Sequence, residues 1–132
     1  MSANYSMTSS GPTGTARVVS LVLRILAAIA FLGAGLAKLA GVTMMVEIFE
    51  HIGIGQWFRV VTGLVEIVGS IAIVVPATAG FGGMLLAATM SVAVVIHLLF
   101  IGGSPVPAIV LLLITAIVAW LHRSSLKIGS RK

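Results

Sequence analysis

The chain has 132 residues, 59% of them hydrophobic and only 8% charged, where a soluble domain carries roughly a quarter charged. It has no cysteine, which excludes disulfides, thiol nucleophiles and thiolate metal sites. The net charge is +5, but Arg17, Arg24, Arg123, Lys127, Arg131 and Lys132 lie near the two ends. There they act as topology signals rather than as a nucleic-acid surface.

Residues 1–17 are rich in Ser, Thr, Gly and Ala and read as a flexible tail. A cleaved signal peptide is not expected, because no basic residue precedes Arg17 and Arg24 interrupts the apolar run. The first span is expected at about 18–40, enough for a hydrocarbon core that takes about 20 residues to cross. Arg24, Ala28, Phe31, Gly35 and Lys38 recur at steps of three and four and share one helical face. Between 43 and 52, Met44, Met45, Ile48, Phe49 and Ile52 alternate with Glu47, Glu50 and His51. This predicts a short amphipathic helix at the membrane interface, ended by Gly53 and Gly55.

The second span is expected at about 57–75, stopping before Pro76. Arg59, Gly63, Glu66 and Ser70 lie on one stripe of it. A third span, about 81–101, has His97 as its one ionisable residue. Gly102 to Pro105 reads as a tight turn. The fourth span, about 106–121, is uncharged and ends at the interfacial aromatic Trp120. Residues 122–132 form a basic tail. The expected fold is an all-α integral membrane four-helix bundle with both termini cytoplasmic.

At a rise of about 1.5 Å per residue, Arg24 lies roughly 9 Å and Glu66 roughly 13 Å from the cytoplasmic side. The expectation is a buried Arg24–Glu66 ion pair. It serves either as a neutral pin that sets helix register or in proton handling and headgroup binding. Lys38, Arg59 and His97 fall roughly 24–30 Å along. Glu47, Glu50 and His51 in the outer loop are placed to neutralise them, giving an outer polar cluster as a candidate ligand-binding site. The plainer readings are snorkelling for Lys38 and Arg59 and a hydrogen-bonded packing residue for His97. No metal, haem or nucleotide motif is present, and His51, His97 and His122 lack ligand-like spacing.

Three stretches, LRILAAIAFLGAGLAKLAG, FEHIGIG and VTGLVEIVGSIAIV, resemble the DoxX family of small four-helix bacterial membrane proteins. The resemblance rests on Arg24, Gly35 and Lys38, on Phe49 and Gly53, on Gly63, Glu66 and Gly69, and on His97. It implies a multi-pass protein of the bacterial inner (cell) membrane. Some relatives are named for thiosulfate:quinone oxidoreductase subunits, others are linked with oxidative-stress complexes, and a eukaryotic branch resembles assembly chaperones. The leading expectation is therefore a quinone- or lipid-facing accessory component of a membrane redox system, not catalytic alone. Its partners would be membrane lipid, quinone, another redox protein or a second copy through small-residue faces, and not nucleic acid. The rival expectations are a small-solute or proton transporter and a non-catalytic assembly partner.

Overall fold

The computed structural model describes residues 11–126. Among them every regular element is helical. Five α-helices form: α1 (Gly14–Ala40), α2 (Thr43–Ile52), α3 (Gln56–Val74), α4 (Ala79–Ile96) and α5 (Val106–Leu121). A π-helical turn, His97–Ile101, prolongs α4, and short 3-10 turns occupy Pro76–Thr78 and Arg123–Leu126. The first helix starts at Gly14, so residues 14–17 are helical rather than part of a flexible tail. Similarly, His122 is buried and residues 123–126 form a turn packed on α4, so the start of the expected basic tail is part of the fold. Residues 1–10 and 127–132 of the expected tails lie outside the described residues.

The four longer helices pack in a ring in the order α1, α3, α4, α5, with α5 closing on α1. Three segments, Thr15–Ala40, Gln56–Val74 and Pro76–Ile101, are long and apolar enough to cross a membrane. Helix α5 is apolar but has 16 residues, about 24 Å of helix. The core is narrow: Ala27, Phe31, Ile73, Leu86 and Val118 are enclosed. Large apolar side chains such as Ile29, Leu64, Ile71, Val92 and Leu113 point outward on all sides. Water would not tolerate so continuous an apolar exterior, whereas lipid requires it.

Small residues bring the backbones together. A Cβ at Gly35 would lie 2.9 Å from the Gly63 carbonyl oxygen, and one at Gly63 would lie 3.1 Å from that of Gly35. On α4, a Cβ at Gly82 would lie 2.6 Å from the Ile73 nitrogen, and one at Gly83 would lie 2.8 Å from the Ala119 nitrogen. These small-residue faces are consumed inside the chain, where close approach replaces the hydrophobic drive that lipid does not supply. Gly41 ends α1 in the left-handed conformation (φ +69°). Its N–H bonds back to the Lys38 carbonyl at 3.2 Å. The chain then turns into α2, whose Phe49 is buried and packs edge-on against Phe58 at 5.7 Å. Glu47, Glu50 and His51 occupy its exposed face.

This packing has a direct consequence. Gly82→Leu forces α3 and α4 apart, since the obstructing atoms are backbone, and should lower unfolding stability in detergent by at least about 1–3 kcal/mol. Gly33→Ala meets nothing within 4 Å and should leave stability unchanged or raise it by about 0.5–1 kcal/mol. Denaturant titration followed by circular dichroism compares the two.

Candidate functional site

Helix side chains lean toward their own N-terminus. In the antiparallel pair α1 and α3, Lys38 therefore leans from the loop end toward the middle of the bundle, and Glu66 leans toward the loop end. They meet: Lys38 Nζ lies 2.9 Å from Glu66 Oε1 and 3.2 Å from Oε2. Glu66 is 2% exposed. The expected Arg24–Glu66 pair does not form. The α1–α3 register sets Gly35 against Glu66, with a Cβ at Gly35 falling 3.3 Å from Glu66 Cβ. Arg24 lies eleven residues earlier on α1, about 16 Å along the axis, and leans the other way. The sequence estimate started α1 level with the end of α3, whereas α1 extends well beyond it, to Gly14.

The expected outer cluster is also divided. Arg59 does not face Glu47 or Glu50. Its guanidinium donates through Nη1 to the Lys38 carbonyl, and through Nε to Gln56 Oε1 at 2.7 Å. A cation on the exposed carbonyls of a helix C-terminus is the favourable arrangement for the helix dipole. Glu47 and His51 instead line a shallow outer depression of about 290 Å³ with Met44, Ile48 and Ile101. Glu50 is exposed. Lys38–Glu66 is the one ion pair among the described residues. No three His, Asp or Glu residues there are placed to hold a metal.

Lys38, Glu66 and His97 line a common cavity of about 390 Å³ between α2, α3 and α4. Its walls are apolar: Met45, Phe49, Ile52, Phe58 and Ile96 on the loop side, and Val65 and Met90 deeper, with Ala93 between. Thr62 and Thr89 also line it, but each hydroxyl donates to a carbonyl of its own helix, Phe58 at 2.9 Å and Leu85 at 2.9 Å. His97 Nδ1 lies 2.9 Å from the Ala93 carbonyl. A carbonyl only accepts, so Nδ1 carries the proton, and in the neutral ring Nε2 is left as an acceptor. The ammonium of Lys38 has three protons and Glu66 engages it through two oxygens, so one N–H is left over. The cavity thus offers one donor and one acceptor within an apolar enclosure.

A second cavity, of about 770 Å³, opens at the opposite end, between the start of α1, the α3–α4 turn and the end of α5. Arg17, Ser20, Arg24, His122 and Ser125 line it together with Gly11–Gly14, Val74, Pro76 and Ala77. Ser20 Oγ and His122 Nε2 are 2.6 Å apart, joining α1 to the end of α5. Burial, and then the positive charge of Arg24, hold His122 below its ordinary histidine range. None of this grouping was expected from the sequence. The available signal was the spacing of Arg17, Ser20 and Arg24 on one helical face.

Apolar exterior, small-residue crossings and a charged interior define an all-helical membrane protein. The sequence matches the DoxX-like family over residues 22–122, and the chain belongs to that family. Neither the curated proteins nor the solved structures contain a match.

The ion pair makes a specific demand. Lys38→Met strands a buried carboxylate and should cost about 3–5 kcal/mol, and Lys38→Met/Glu66→Gln should recover most of it. Pairing Arg24→Gln with Glu66→Gln should give effects that add. Thermal unfolding of these variants in detergent, analysed as double-mutant cycles, checks both statements.

Proposed function

We propose that the chain is a four-span protein of a bacterial inner membrane that holds a quinone- or lipid-like amphiphile. In this reading it serves a membrane redox or oxidative-stress system as an accessory component. The observation that carries the proposal is the apolar cavity of about 390 Å³ with Lys38, Glu66 and His97 in its lining. Its size falls in the usual range for small-molecule sites, and so does its character, mostly apolar with a few placed polar groups. A quinone carbonyl would accept from the spare Lys38 N–H, and a quinol hydroxyl would donate to His97 Nε2. The phosphate or ester oxygens of a lipid headgroup would likewise accept from Lys38. Helix α2 lies over the loop side of the cavity and supplies Met45, Ile48, Phe49 and Ile52 to its wall. The redox setting is carried over from the resemblance to the DoxX family alone.

In the same proposal, α1, α3, α4 with its π-helical turn, and α5 each cross the bilayer, with both chain ends in the cytoplasm. The concentration of Arg17, Arg24 and Arg123 at the end where α1 begins and α5 finishes supports that orientation. The absence of cysteine makes the test direct. In intact spheroplasts, a membrane-impermeant maleimide should label Ser104→Cys, in the turn between α4 and α5, and spare Ala77→Cys, in the turn between α3 and α4. The reverse pattern overturns the orientation.

Occupancy is tested by mass spectrometry of lipids retained after purification in mild detergent. Quinone should be enriched over its share of bulk lipid. It should fall about tenfold in Lys38→Met/Glu66→Gln, given the 1.5–3 kcal/mol that a hydrogen bond to a charged group contributes. Equal retention by both proteins rejects the site. A stoichiometric protein without quinone or lipid favours an assembly role, and Glu66-dependent proton flux into vesicles favours transport.

A further inference from the structure

Arg24 is 7% exposed, and its Nε and Nη1 have no hydrogen-bond partner among the described residues. It lines the cavity at the end where the chain's termini converge. The chain itself has no side chain to neutralise it. There are three acidic residues in the whole sequence, Glu47, Glu50 and Glu66. Glu66 is held by Lys38, and Glu47 and Glu50 sit on α2 at the other end of the bundle. Neither terminal stretch outside the described residues contains Asp or Glu. A buried charge without a partner is strongly unfavourable, and no acidic side chain of the sequence is placed to offset it, so an anion bound in the cavity would supply the counter-charge.

The surroundings specify the chemistry of that molecule. Arg17, Ser20 and Arg24 follow at steps of three and four, so two guanidinium groups and a hydroxyl share one face of α1. Thr13 forms no side-chain cap, which leaves the first amides of a 27-residue helix available at the same cavity. Arginine forks and helix-start amides together match a phosphate group. Leu21 and Val74 also line the cavity and are exposed to the lipid side, so an acyl chain has an apolar path away from a bound headgroup. We infer that this cavity, distinct from the Lys38–Glu66 site, binds a phosphate-bearing anion on Arg24 and Arg17.

The test uses the full chain in detergent and in nanodiscs, with native mass spectrometry as readout. The probes are phosphatidylglycerol, phosphatidylcholine and inorganic phosphate. The wild-type protein should retain phosphatidylglycerol at least about tenfold better than Arg24→Gln does, the scale set by one or two charge-assisted hydrogen bonds. Arg123→Gln should bind as the wild type does, because Arg123 stacks 4.1 Å over Trp120 and does not line the cavity. Arg17→Gln, at an exposed position of the same cavity, gives a milder second comparison should Arg24→Gln fold poorly, and it should weaken retention. Loss of phosphatidylglycerol on adding inorganic phosphate, at constant ionic strength, identifies a free-phosphate site. Persistence of the lipid identifies a headgroup site. Equal retention of phosphatidylglycerol by the wild type, Arg24→Gln and Arg17→Gln, with no response to inorganic phosphate, overturns the inference, as does equal retention of phosphatidylcholine by the wild type.

Discussion

Lys38 and Glu66 neutralise each other because two helices approach closely enough for the charges to meet inside the bundle. The approach depends on Gly35 and Gly63, whose backbones touch where any side chain would intrude. The antiparallel arrangement of α1 and α3 then turns the two side chains toward one another. A salt bridge this enclosed contributes little net stability against an apolar alternative, but breaking it is costly. Its structural effect is therefore on register: sliding α1 along α3 would strand both charges.

That register determines what the two ends of the molecule become. At the loop end, α1 stops just beyond Lys38, and Arg59 from α3 ties down the Lys38 carbonyl. The chain turns through Gly41 into α2, which lies across the gap between α3 and α4. The result is an apolar cavity with the ion pair in its wall. At the other end, α1 overshoots α3 by several turns and carries Arg17, Ser20 and Arg24 past the α3–α4 connection. There they meet His122 at the end of α5. One cavity thus contains a matched pair of charges and the other an unmatched excess of positive charge.

Electrostatic balance ties these features together. With acidic residues so few, each basic group needs an identifiable compensation. Lys38 has Glu66, Arg59 has a helix terminus, and Arg123 has an aromatic face and the Trp120 carbonyl. Arg24 has a cavity. In a membrane the difference matters more than it would in water, because the surrounding medium solvates charge poorly.

Much was determined by residue order alone. A high apolar content interrupted by turn-forming Gly and Pro allows little except membrane helices, because in lipid every backbone group must be bonded within its own segment or a closed sheet. The amphipathic spacing from Met44 to Ile52 likewise marked α2, and the motifs around Lys38 and Glu66 marked the family. What only the tertiary structure decided was partnership. Periodicity locates Arg24, Lys38 and Glu66 on inward faces, but it carries no information about the vertical offset between helices. That offset follows from glycine contacts between α1 and α3, and it assigns Glu66 to Lys38 and leaves Arg24 at the far end. The meeting of Ser20 with His122, 102 positions apart, depends in the same way on how the ring closes, a property of packed helices and of no single stretch of chain.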